Sequence, residues 1–179
     1  MRWYGFVLIF LTVSVFCNLL YTVRLSYTAG GSLAVREADL PEGKLDILDR
    51  PGSFLSAETM PKQPLLLFFF ASWCKPCRLE APVIAKLSER HDVPFIGIAV
   101  RDDAKALKAF LEKANHPYRF VALDPDPKWA PAMRADALPT AFVLNAKGKV
   151  AAKINGVMTE NFYLQTVLPF LRELKNESP

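Results

Sequence analysis

Leu65-Leu66-Leu67-Phe68-Phe69-Phe70-Ala71-Ser72-Trp73-Cys74-Lys75-Pro76-Cys77 is the stretch on which the reading of this chain turns. Leu65 to Phe70 is an unbroken run of large apolar side chains, without the alternation of a half-exposed strand and too short for an ordinary helix. That pattern belongs to a strand covered on both faces in a central sheet. The run leads directly into a Cys-x-x-Cys pair. From Lys75 onward, Leu79, Val83, Ile84 and Leu87 follow a helical period to about Arg90, with Pro82 expected to kink the helix.

A cysteine pair at a strand-to-helix transition has a specific chemical use. Cys74 falls at the helix N-terminus, where unpaired N–H groups and the macrodipole favour an anion, so its thiol should ionise readily. Cys77, three residues on, lies on the same helical face and is expected to be the more buried, placed to resolve a mixed disulfide. Lys75 adds positive charge beside the nucleophile, and Pro76 sits in the first turn, where its missing N–H costs little. A zinc site would need two further ligands; the one other cysteine, Cys17, lies in an apolar N-terminal stretch, and His91 and His116 are remote from the pair. A purely structural bridge across so short a loop would stabilise little. Reversible disulfide exchange is the use that fits, with the Cys74–Cys77 pair as redox group, no other cofactor and no metal.

Downstream, the expected elements are a buried strand over Val93 to Val100, an amphipathic helix carrying Leu107, Phe110, Leu111 and Ala114, and a strand near Tyr118 to Leu123. A turn at Asp124-Pro125-Asp126-Pro127 precedes a short helix from Trp129 to Arg134. Thr140 to Leu144 and Lys149 to Ile154 form a hairpin around Asn145-Ala146-Lys147-Gly148. A last helix spans Thr159 to Lys175, with Leu164, Val167, Leu168, Leu171 and Leu174 on one face and Pro169 inside. Upstream, Asp49-Arg50-Pro51-Gly52 marks a small hairpin or extended turn. This order predicts parallel crossovers followed by an antiparallel edge, an α/β sandwich.

The 22 basic and 18 acidic residues, net charge +4, are scattered without a basic block, which argues against nucleic-acid binding. Trp3 to Val23 carries no charge and is bracketed by Arg2 and Arg24. A bilayer span takes about 20 such residues, so an uncleaved anchor over residues 3–23 is expected in the lipid bilayer, with Trp3, Tyr4 and Tyr21 at its interfaces. The competing reading is a signal peptide cleaved near Ser32-Leu33-Ala34, whose apolar core is usually shorter. Arginines on both flanks leave the orientation open. The expected organisation is an anchor over 1–24, a linker over 25–44 and a folded domain over 45–179.

Phe70-Ala71-Ser72-Trp73-Cys74-Lys75-Pro76-Cys77-Arg78-Leu79-Glu80-Ala81-Pro82 resembles the thioredoxin superfamily, in particular its membrane-tethered TlpA-like branch. Leu48 to Phe54, Arg101-Asp102-Asp103, Asn115-His116-Pro117-Tyr118 and Leu168-Pro169 bring it nearer the cytochrome c biogenesis (DsbE/CcmG) type. The resemblance implies a three-layer α/β/α sandwich with a central mixed sheet, and a single-pass protein of the bacterial inner membrane with its catalytic domain in the periplasm. It implies that Leu138-Pro139-Thr140 is a substrate-facing loop with a cis proline against the cysteine pair, and that Trp73 is a client platform beside Lys75 and Pro76. Glu80 matches an acidic residue of the TlpA-like pattern, a proton carrier during exchange or simply a surface carboxylate. Phe68 stands where thioredoxin proper has a buried aspartate. The implied activity is reduction of protein disulfides, with apocytochrome c or haem-ligation components as clients and a membrane thiol reductase as electron donor. Reductases for copper centres or copper stress, and a non-catalytic assembly factor on the same scaffold, are the alternatives.

Overall fold

The computed structural model describes residues 31–90 and 93–176. The expected anchor over residues 3–23, Cys17 and His91 lie outside them. Among the described residues no helix is long and apolar enough to cross a membrane.

The described residues form eight strands: β1 (Ser32–Ala38), β2 (Leu45–Asp46), β3 (Phe54–Leu55), β4 (Leu65–Phe70), β5 (Phe95–Val100), β6 (Phe120–Asp124), β7 (Thr140–Leu144) and β8 (Val150–Asn155). Six of them form one sheet in the order β1-β8-β7-β4-β5-β6, and β2 with β3 makes a separate small hairpin. Strands β4, β5 and β6 run parallel, whereas β7, β8 and β1 add on as antiparallel neighbours. The helices are α1 (Lys75–Arg90), α2 (Ala104–Lys113) and α3 (Trp129–Ala132), followed by α4 (Glu160–Phe162), a π-helical stretch Tyr163–Val167, and α5 (Leu168–Asn176). This is the thioredoxin-like α/β fold with a mixed central sheet.

Strand β4 is buried along its whole length, and its alternate side chains divide between two cores. Leu66, Phe68 and Phe70 pack with Ile84 and Leu87 of α1, Leu107 and Leu111 of α2, and Leu171 of α5. Leu65, Leu67 and Phe69 pack on the other face with Trp129 and Ala130 of α3 and Leu55 of β3. A two-sided apolar strand is what such a three-layer arrangement requires.

Three expectations are corrected. The stretch taken as a linker supplies an edge strand: β1 pairs with β8 from Ser32↔Asn155 to Ala38↔Val150. Its side chains are mostly exposed, so main-chain hydrogen bonding places it rather than an apolar period. Leu79 is 70% exposed, and Cys77, Glu80, Ala81 and Ile84 face inward in its stead. Leu164 is also exposed, with Tyr163 fully buried. The cause is the π-helical stretch, in which Leu168 N–H bonds to Tyr163 O, five residues back. This widened turn accommodates Pro169, which can donate no hydrogen bond to Gln165, and rotates the preceding residues about the helix axis. Pro82, by contrast, lies within an unbroken α1.

Gly97 permits one close approach in this core. A Cβ there would lie 2.7 Å from Phe70 Cε1 and 3.0 Å from Tyr118 Cδ2, and those two rings stack with centroids 4.7 Å apart. Gly97→Ala is therefore expected to cost ~1–3 kcal/mol by overpacking, read as a lower midpoint in denaturant unfolding of the full-length protein; an unchanged midpoint would contradict this packing.

Candidate functional site

The C-terminal end of β4 delivers the chain to the cysteines. Cys74 N–H bonds to Ala71 O at 3.1 Å, and Cys74 O accepts from Arg78 N–H at 3.1 Å, so Cys74 stands at the N-cap position of α1. Cys74 and Cys77 are joined in a disulfide with their Cα atoms 5.3 Å apart. The Cys77 N–H points at Cys74 Sγ at 3.2 Å. An amide aimed at that sulfur would stabilise a thiolate on it once the bond is reduced. Both cysteines are buried, Cys77 the more so.

Glu80 lies one turn beyond Cys77 on the inner face of α1 and is only 2% exposed, which removes the surface-carboxylate reading. Its Oε2 accepts from Met158 N–H at 2.8 Å, while Oε1 is buried without a hydrogen-bond partner. Burial pushes its pKa up to about 8, and the Met158 bond opposes that rise only in part. Phe68 occupies the same core, its ring 5.4 Å from Phe95 and 5.7 Å from Tyr118. The Tyr118 phenol is also driven upward, first by burial and second by the Glu80 charge.

Trp73 is 58% exposed, and Lys75 and Pro76 are exposed beside it. The Leu138–Pro139 peptide is cis. Leu138 shares with Trp73, Cys74, Pro76, Arg101 and Asp136 the wall of a cavity of about 480 Å³. Pro139 is buried at the entry to β7, and Thr140 is turned inward, its hydroxyl donating to Ala137 O at 2.6 Å. The first part of the loop thus borders the cysteine cavity, while Thr140 braces it from within. Among the described residues no group of three or more His, Cys, Asp and Glu could hold a metal ion.

Contacts that no local pattern announces complete the site. Met158 reaches Glu80 from 78 residues away. Asp102 accepts from both Ser72 N–H and Ser72 Oγ, and Trp73 Nε1 donates to Arg101 O at 3.0 Å. The one sequence signal for the second pair is Arg101-Asp102-Asp103 itself: Asp103 caps α2 through Lys105 and Ala106 N–H, leaving Asp102 without a capping task.

The sequence matches the Redoxin family over residues 36–168. It is 32% identical over 142 residues to a thiol:disulfide interchange protein DsbE homolog of Paracoccus denitrificans, covering 78% of this chain and 73% of that one. It is 29% identical over 161 residues to the thiol-disulfide oxidoreductase ResA of Bacillus subtilis, covering 86% and 87%. In fold it is similar to a DsbF homologue of Corynebacterium diphtheriae, with a TM-score of 0.64 at 21% identity over 79% of this chain and 95% of that one.

The raised pKa of Glu80 has a consequence for stability. Its carboxyl ionises near 4.5 when unperturbed and at about 8 when folded. Between those values the unfolded chain has released the proton and the folded chain keeps it, so stability falls as pH rises through that window and levels off above it. Thermal unfolding of oxidised wild type and Glu80→Gln should show wild type losing ground to the variant from about pH 5 to about pH 8.5; parallel curves would contradict a buried, proton-holding Glu80.

Proposed function

The chain belongs to the Redoxin family and is a thiol:disulfide oxidoreductase; from that premise we propose that it is a membrane-tethered reductant of protein disulfides in which Cys74 attacks and Cys77 resolves. The observation that supports this most directly is the Cys77 amide directed at Cys74 Sγ at the start of α1.

In the reduced protein the Cys74 thiolate attacks one sulfur of a client disulfide, forming a mixed disulfide and expelling the other client sulfur as a thiolate. Glu80 neighbours Cys77 across one helical turn; with a pKa of about 8 it is ionised in a fraction of molecules at neutral pH, and in that form it takes the Cys77 proton on Oε1. The Cys77 thiolate then attacks Cys74 Sγ, closing the enzyme disulfide and releasing the second client sulfur. Two electrons leave the dithiol. One client thiolate recovers its proton from Glu80, and the other takes from solvent the proton that Cys74 gave up on ionising. A carboxyl with a pKa near 8 is matched to passing a proton between thiols of ordinary pKa, about 8.5.

The exposed Trp73, with Lys75, Pro76 and Leu138 at the head of the cis-proline loop, is the surface on which the client chain lies, and the buried Pro139 and Thr140 hold that loop in place from beneath. The apolar stretch over residues 3–23 anchors the domain at the bacterial inner membrane with its catalytic part in the periplasm, where a membrane thiol reductase returns electrons. By family likeness the clients are apocytochrome c or haem-ligation components.

A Cys77→Ser variant expressed in the native cell leaves the mixed disulfide unresolved. Adducts of Cys74 with apocytochrome c or haem-ligation proteins are expected on non-reducing gels and by mass spectrometry. Adducts confined to other proteins would overturn the client assignment, and the absence of any adduct would overturn the mechanism.

A further inference from the structure

Parallel pairing of β4 with β5 sets Phe70 opposite Ala99, which brings the two residues after β5, Arg101 and Asp102, alongside Ser72 and Trp73. There every polar group of Ser72 is occupied. Its N–H donates to Asp102 Oδ2 at 2.5 Å, its hydroxyl donates to Asp102 Oδ1 at 2.6 Å, and its carbonyl accepts from Arg78 Nε at 2.5 Å. The neighbouring Trp73 indole is tied to Arg101 O. Arg101 itself takes a left-handed backbone, φ 49°, and its N–H is held by Asp124 O at 3.1 Å. Ser72 is 4% exposed and Asp102 half-buried, so the two bonds between them are partly sheltered from competing water.

We propose that Asp102 is a positioning residue for disulfide exchange: by gripping Ser72 through both carboxylate oxygens it fixes the Ala71–Trp73 approach to Cys74, and with it the direction from which Cys74 Sγ meets a client sulfur.

Attack on a disulfide runs in line with the bond being broken, so the attacking sulfur must be held in direction as well as ionised. The Cys74 backbone has one tie outside α1, its N–H to Ala71 O. The Ser72 clamp therefore controls the residue immediately before Trp73 and Cys74. Asp102 touches no reacting atom, and its two oxygens are both spent on Ser72. The proposal rests on the reading of Cys74 as the attacking sulfur.

The test uses full-length reduced protein with glutathione disulfide as the electrophile, and iodoacetamide as a small reagent that needs little alignment. Rates are compared on the pH plateau where Cys74 is fully ionised. Asp102→Ala is expected to slow disulfide exchange about tenfold or more while plateau alkylation stays within about twofold of wild type. Ser72→Ala, which loses only the hydroxyl bond, and Asp102→Asn, which keeps one acceptor oxygen, should fall between. Exchange by Asp102→Ala at the wild-type rate would overturn the proposal. So would equal losses of exchange and alkylation, which signify general damage. If Asp102→Ala does not fold, Asp102→Asn decides by the same ratio, an unchanged ratio overturning the proposal. Failure of the underlying reading is distinct, because wild type itself would then show no exchange.

Discussion

A strand with no solvent-facing side constrains everything attached to its ends. Leu65 to Phe70 has apolar side chains on both faces and main-chain partners on both edges, β5 on one and β7 on the other. Its C-terminus therefore arrives at a fixed point at the top of the sheet, and α1 must start there. Cys74 owes its place to that constraint: it occupies the N-cap of a helix whose root cannot move without disturbing two cores. The ends of the neighbouring strands arrive at the same rim, bringing Arg101 and Asp102 from β5 and the cis Leu138–Pro139 peptide ahead of β7.

Beneath the pair the chemistry depends on what surrounds a single acid. Glu80 and Asp124 are the buried carboxylates among the described residues, and they are satisfied very differently. Asp124 accepts from the Lys128, Trp129 and Ala130 amides at the start of α3. Glu80 has one amide for two oxygens. Hydrogen bonds to the charged form would hold a carboxyl low; their scarcity leaves burial to dominate and holds Glu80 protonated into the neutral range. A phenylalanine at position 68 removes the possibility of a second acid on β4, so the acid function of this core rests on α1.

Much of this was legible in the chain. The unbroken run of β4, the helical period after it and the Cys-x-x-Cys between them are local patterns, and local patterns report local structure. Residues joined across the sheet are not legible in the same way. Ser72 and Asp102 are 30 positions apart, Glu80 and Met158 are 78 apart, and no periodicity connects them. The edge strand Ser32–Ala38 escaped for another reason: an exposed strand held by main-chain bonds has little apolar alternation to display. A period of 3.6 turns Leu164 inward only if the α-helix is unbroken, and the π-helical stretch ahead of Pro169 resets the phase.

Exchange by this mechanism depends on Cys74 being a stabilised thiolate at a helix N-terminus. Ultraviolet titration of the reduced full-length protein near 240 nm, where thiolates absorb, measures this directly with Cys77→Ser to isolate Cys74. Cys74 is expected to ionise well below the ordinary thiol value of about 8.5. A Cys74 that ionises at or above that value would contradict it.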